Sequence, residues 1–207
     1  MENPWLNIPA EDYEGHMSSD KVLQLQALSK IFSNVIAKTV PHSMMLLGCA
    51  AGNGLEHLKE NEKIICVDIN PDYIELCRKR FSSSLPNIEF VCADLNNYER
   101  LDEQVDLVHA ALIFEYVDVE SLLKKIFNWL KPGGHLSAVI QLESKTTPAI
   151  SETGYDSLKL LSPIHKLVNP ENFRNSCINA GFHELNYREV FLPGEKRFGV
   201  LIFVKNK

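Results

Sequence analysis

The 207-residue chain reads as an α/β fold, a mostly parallel sheet covered by helices on both faces and closed by an antiparallel strand. Three observations predict it. The apolar run Met44-Met45-Leu46-Leu47 breaks into Gly48-Cys49-Ala50-Ala51-Gly52-Asn53-Gly54, a buried strand running into a tight turn. A second apolar run, Ile64-Ile65-Cys66-Val67, ends in Asp68, 20 positions after Gly48. The last two alternating runs, 185–192 and 198–204, are joined through Pro193-Gly194, which reads as a hairpin.

The elements follow in order. Residues 1–17 are aromatic and irregular, with Trp5, Pro9, Tyr13, His16 and Met17. Ser18-Ser19-Asp20 reads as an N-cap, after which Val22, Leu25, Leu28, Phe32, Val35 and Ile36 repeat at helical spacing until Pro41. Leu55 and Leu58 start a helical pattern after the glycine loop, so helix N-terminal N–H groups are expected to face a ligand there. Pro71 opens a helix carrying Ile74, Leu76 and Phe81, and Pro86-Asn87 stops it. Ile88 to Cys92 is a third strand ending at Ala93-Asp94-Leu95, and Val105 to Leu112 a fourth. Residues 119–130 form a helix buried on Leu122, Leu123, Ile126 and Trp129. The turn Lys131-Pro132-Gly133-Gly134 leads into strand five, Leu136 to Leu142. Residues 143–169 form an irregular insertion with one short helix near 158–161. Asn169-Pro170-Glu171 caps a helix reaching Ala180, and Gly181 stops it.

Composition is that of a globular protein, 45% apolar and 23% charged, and no stretch approaches the roughly 20 apolar residues of a membrane span. No charged-then-apolar leader opens the chain, so a secretory signal is not expected. The net charge of −6 opposes tight non-specific binding to a polyanion. Arg78-Lys79-Arg80 and Lys124-Lys125 read as solvated helix faces. Cys49, Cys66, Cys77, Cys92 and Cys177 include no Cys-x-x-Cys pair, so neither a metal site nor a disulfide framework is indicated. Cys66 and Cys92 fall in strands expected to be buried, and free thiols fit a reducing cytoplasm.

A strand, glycine loop, helix, strand and acid of this length places Asp68 where it accepts from both hydroxyls of a ribose; a packed turn with no ligand is the plain alternative. Nicotinamide and flavin enzymes use Gly-x-Gly-x-x-Gly, and glycines at 48, 52 and 54 do not fit that spacing, which disfavours an oxidoreductase. Leu46 through Gly52 instead resembles the first motif of the class I S-adenosylmethionine-dependent methyltransferases, roughly acid-x-Gly-x-Gly-x-Gly. Gly48 and Gly52 match; Leu46 replaces the acid and Ala50 the middle glycine, tolerable where the φ of Ala50 is negative. Asp94-Leu95, the pair of stretches Val105–Val108 and Leu112–Val117, Leu130–Gly134 and Ala180-Gly181-Phe182 resemble four further motifs of that family in the same order.

The resemblance implies a three-layer Rossmann-like sandwich with sheet order 3-2-1-4-5-7-6, strand 7 antiparallel, and an N-terminal helical lid. It divides one domain into lid and helix (1–40), cofactor-binding core (41–142), acceptor-side insertion (143–169) and closing helix with hairpin (170–207). The implied cofactor is S-adenosylmethionine, leaving as S-adenosylhomocysteine. Gly48, Cys49, Ala50, Gly52 and Asn53 are expected to cradle its methionine part. Asp68 with Ile69 takes the ribose, Asp94 with Leu95 takes the adenine, and His109 lies beside the cofactor or in the core. The expected reaction is methyl transfer to a small or medium-sized acceptor; a binding protein without catalysis and an RNA or protein methyltransferase are the rivals. His109-Ala110-Ala111-Leu112 stands where relatives acting on amide or exocyclic nitrogens carry an Asn- or Asp-Pro-Pro-aromatic run, so no polar group is offered there. Candidate bases are therefore Tyr13 and His16 in the lid. Glu115 and Tyr116 line the pocket or, for Glu115, cap the next helix. His165 in the insertion serves acceptor choice or lies on the surface. No metal is expected.

Overall fold

The computed structural model describes residues 3–60, 62–99 and 103–206; Met1 and Glu2 of the expected lid lie outside them. One seven-stranded sheet runs in the order β3-β2-β1-β4-β5-β7-β6. Its strands are β1 (Ser43–Leu47), β2 (Lys63–Asp68), β3 (Ile88–Cys92), β4 (Val105–Ala111), β5 (Leu130–Gln141), β6 (Phe182–Phe191) and β7 (Arg197–Lys205). β1 to β5 pair in parallel, and β7 is antiparallel to both β5 and β6. The order reverses between β1 and β4, so their carboxyl ends diverge and leave a crevice there.

Helices α2 (Gln24–Thr39) and α3 (Pro71–Phe81) cover one face, packing Phe32, Val35 and Ile74 on Leu46, Cys66 and Leu107. Helices α4 (Val119–Trp129) and α5 (Pro170–Asn179) cover the other, packing Ile126, Trp129 and Phe173 on Val108, Ala110 and Leu136. The buried stripe of α4 recurs at helical spacing as expected. Asn70, Asp118 and Asn169 cap α3, α4 and α5 by accepting first-turn N–H groups.

Five sequence expectations need correcting. No helix follows the glycine loop: Leu55–His57 is a single 3-10 turn. Eight residues separate Gly54 from Lys63, too few for a helix and its exit, and Gly54 has φ +95°. No helix N-terminus is therefore aimed at the crevice from that loop. Residues Ala10–Ser18 form helix α1 rather than irregular chain, held by packing of Tyr13 and Met17 on the α2 side of the core. Ser19 ends α1, its hydroxyl donating to the His16 carbonyl, instead of opening α2, which begins at Gln24. β5 begins at Leu130, so Lys131–Gly134 is its entry with a register shift against β4, not a separate turn. Cys92 is exposed, because β3 is an edge strand.

The basic helix faces are also less solvated than expected. Arg80 donates to both Glu14 oxygens and ties α3 to α1, while Lys125 donates to the carbonyls of Leu95, Asn96 and Tyr98. Among the described residues no helix is long and apolar enough to cross a membrane.

Candidate active site

A cavity of about 1050 Å³, part of it open to solvent, fills the crevice at the carboxyl ends of the strands. Its sheet side is formed by Gly48, Ala50, Asp68, Ile69, Asp94 and Leu95. These are six of the ten residues expected to bind a cofactor.

Asp68 closes β2 and is 7% exposed. Its Oδ2 accepts the Ala50 N–H and its Oδ1 the Asn70 N–H, both at 2.9 Å. Each oxygen keeps a lone pair for a ligand hydroxyl. Burial pushes the Asp68 carboxyl up to about 6, against the pull of those backbone N–H groups. Ala50 sits at φ +46° and Leu112, just past β4, at φ +55°. The condition of a negative φ at Ala50 is thus not met. Each costs roughly 1–2 kcal/mol, and both line the cavity at the sheet's reversal point. Asp94 follows β3, and its Oδ1 accepts from the Asn96 backbone and side chain.

Four expected cofactor residues are placed elsewhere. The Cys49 thiol turns into the core, where the sulfurs of Cys49, Cys66 and Cys77 lie within 4.8 Å of one another. A Cβ at Gly52 would meet Phe81, Cys77 and Leu55, so its tight approach is to protein. Asn53 donates to the Leu25 carbonyl and anchors α2. His109 stacks 4.7 Å from Phe32 with Nδ1 3.0 Å from the Ser137 hydroxyl, and burial lowers its pKa to about 4. It is a satisfied core histidine. The thiol cluster escaped the sequence because a loop, a strand and a helix supply one sulfur each.

The N-terminal segment forms the opposite wall. The Trp5 carbonyl accepts from the Asn70 side chain at 2.9 Å, fixing the segment to the end of β2. Trp5 stands edge-on to Tyr13 at 5.9 Å and to Tyr116 at 5.1 Å, and Tyr13 lies 5.7 Å from Tyr73. Burial raises the Tyr13 phenol well above its ordinary range, so it is not ionised near neutrality. His16 is buried, with Nδ1 2.6 Å from the Thr153 hydroxyl; burial first, and then the Lys196 charge, lowers its pKa.

The insertion closes the floor. Leu158 and Leu161, on a 3-10 turn, bury Ile8, and His165 stands 5.4 Å from Tyr116. His165 is a wall residue, not a surface one. Glu115 caps no helix: its Oε1 accepts the Gln141 N–H of β5 at 2.7 Å, and burial pushes its carboxyl up to about 7. Among the described residues two buried side-chain polar atoms have no protein partner, Tyr73 Oη and Glu115 Oε2. Both residues line this cavity. Buried polar groups are almost always paired, so this cavity is where the fold leaves bonds for a ligand.

Comparison with known proteins bears on the family and the fold. A family model described as a methyltransferase domain matches residues 45–134. An uncharacterised methyltransferase-like protein of Schizosaccharomyces pombe is 31% identical over 120 residues, 55% of this chain and 44% of that one. A phosphoethanolamine N-methyltransferase of Triticum aestivum is 24% identical over 166 residues, 76% of this chain and 31% of that one. The chain thus spans less than half the length of these curated relatives. The N-methyltransferase NodS of Bradyrhizobium japonicum, solved with S-adenosylhomocysteine, superposes with a TM-score of 0.70 at 16% identity, covering 96% of this chain and 98% of that one. At that identity the likeness shows the fold. By its glycine loop and the family match from β1 into β5, the chain is similar over residues 45–134 to the methyltransferase domain, and its sheet order is the fold of the solved S-adenosylmethionine-dependent methyltransferases.

Proposed function

We propose that this chain is one methyltransferase domain that binds S-adenosylmethionine and transfers its methyl group to a small acceptor enclosed in the cavity. The observation that carries the reading is the cavity at the β1–β4 reversal, which joins a buried ribose-type acid, Asp68, to unpaired Tyr73 and Glu115 atoms. The residues present fit the cofactor. Asp68 and the Ile69 backbone hold the ribose, Asp94 and Leu95 the adenine, and Gly48 with Ala50 the methionine part. S-adenosylmethionine supplies an electrophilic methyl on a sulfonium when bound. The protein's work is to orient the acceptor and keep water out. Trp5, Tyr13 and Tyr116 form that dry wall.

His16 is the base we favour. Its lowered pKa keeps the ring neutral at pH 7, and Thr153 engages Nδ1, leaving Nε2 to take a proton. Tyr13, protonated and aromatic-packed, orients instead of abstracting. The recessed cavity, walled by the N-terminal segment and the insertion, and the net charge of −6 support a small acceptor over a nucleic acid. Free cysteines support a reducing, cytoplasmic setting.

Calorimetry with S-adenosylmethionine, S-adenosylhomocysteine and NAD tests binding, and turnover in a metabolite-extract screen tests transfer. Cofactor binding with no turnover in any extract would favour a binding protein. His16→Ala should lower turnover by about 10²-fold while changing cofactor affinity far less.

A further inference from the structure

Cys49, Cys66 and Cys77 sit on three different elements: the loop after β1, the strand β2 and the helix α3. Their sulfurs lie within 4.8 Å of one another. Cys66 and Cys77 are fully buried, Cys49 is 7% exposed, and all three are free thiols. The surroundings are apolar: Leu46, Leu55 and Ile74 belong to the same packed cluster. Phe81, Leu55 and the Cys77 sulfur all press on the point where a Gly52 Cβ would stand, so the sulfurs lie directly under the glycine loop. A buried free cysteine ordinarily packs as a small hydrophobe. Three that converge from a loop, a strand and a helix also make a ligand set.

The size of the sulfur triangle is what favours a metal ion. An ion held about 2.3 Å from each of three sulfurs in a plane sets those sulfurs about 4 Å apart. The triangle in the fold is already close to that size. Thiolates are soft ligands that select copper(I), zinc or iron–sulfur clusters. Structural zinc is four-coordinate, and iron–sulfur clusters take four cysteines. The group here offers three sulfurs among the described residues. The nearby acid Asp68 is held elsewhere, its oxygens accepting the Ala50 and Asn70 N–H groups. Copper(I) accepts three sulfurs in a plane. Its binding releases thiol protons to the buffer and changes no oxidation state. A cation stands beside the negative site that results: Arg80, one turn beyond Cys77, donates to the Ala51 carbonyl at 3.3 Å in the loop that carries Cys49.

We propose that Cys49, Cys66 and Cys77 bind one copper(I) ion as a trigonal thiolate site beneath the glycine loop. The ion ties that loop to β2 and α3. It thereby holds Gly48 and Ala50, which flank Cys49 and line the cavity. The site is structural and takes no part in methyl transfer, so it stands apart from the methyltransferase reading.

The test uses the full chain, reduced and kept free of oxygen. Copper(I) buffered by bicinchoninate is titrated in, and the bound ion is characterised by copper X-ray absorption. The expected result is one ion per chain, a shell of three sulfurs, and a Tm raised by several degrees. Cys92→Ser removes the exposed thiol and should leave all three readings as they are. Losing an outer partner of a metal ligand typically costs about 10–100-fold in affinity, so Cys49→Ser and Cys77→Ser should each cost about a hundredfold or more. Circular dichroism of the metal-free variants checks that they fold, and the sulfur count in the wild type decides the matter without them. No stoichiometric binding by the wild type, a shell of fewer than three sulfurs, or wild-type affinity in a folded Cys49→Ser overturns the proposal. Loss of the ion in Cys92→Ser places it at the surface and overturns it too. Tighter binding of zinc(II) than of copper(I) overturns the choice of ion.

Discussion

The Asp68 carboxylate accepts the backbone N–H of Ala50 at 2.9 Å, and that bond joins the end of β2 to the loop after β1 where the cavity begins. Ala50 holds a left-handed φ of +46° to present that N–H. A non-glycine residue is kept in that conformation only when its surroundings over-determine it, and the buried acid is the group that does so here.

Ala50→Gly should therefore stabilise the protein by about 1 kcal/mol, since glycine adopts this φ without the Cβ clash. Equilibrium denaturation checks it. Loss of stability would show that the Ala50 methyl, 9% exposed with its residue, is needed for packing.

Asp68→Asn should weaken S-adenosylhomocysteine at least tenfold, since charge-assisted bonds contribute roughly 1.5–3 kcal/mol each. The wild type should also show a pH signature. With the free carboxyl near 6, ligand affinity rises as pH goes from 5 to 7 and then levels off, because the ionised form accepts from ribose hydroxyls. Calorimetry across that range decides; a flat profile would remove Asp68 from the ribose.

Glu115→Gln bears on stability. The Glu115 carboxyl is raised in the fold to about 7 from 4.5. Such a group's contribution is full below pH 4.5 and is lost as pH rises through about 7. The amide keeps an oxygen for the Gln141 N–H and removes the buried charge. Unfolding free energy should rise relative to wild type by about 1–3 kcal/mol at pH 8 and by little at pH 4. A pH-independent difference would contradict this.

Arg80→Ala should loosen the N-terminal wall without unfolding the domain. The Arg80–Glu14 pair is partly exposed, 40% and 29%, so its loss should cost under about 1 kcal/mol. Limited proteolysis should cut faster within residues 3–18, and ligand affinity should fall two- to fivefold. Unchanged proteolysis would mean that the Asn70–Trp5 bond and the aromatic contacts hold the segment alone.

Much of the site was readable because its signals are local. Asp68, Asp94 and Gly48 follow directly from strands that end in loops, and each arrives at the cavity. The chain could not tell by itself which atoms of the loop face in. Cys49, Gly52 and Asn53 alternate with Gly48 and Ala50, and their directions depend on dihedrals fixed by contacts with Phe81, Cys77 and Leu25. His109 shows the same limit: its strand was right, but Phe32 of α2 claims its ring.

The sequence by itself determined the seven strands and helices α2 to α5 in their order, the sheet's antiparallel closure and the acids at the strand ends, because hydrophobic periodicity and glycine or proline punctuation act over a few residues. Only the tertiary structure decided that residues 10–18 are helical, that His16 meets Thr153 and that Trp5 meets Tyr116 across the cavity. Those outcomes depend on surfaces more than a hundred residues apart in the chain meeting across one cavity, and the energy of such burial is written in no local pattern.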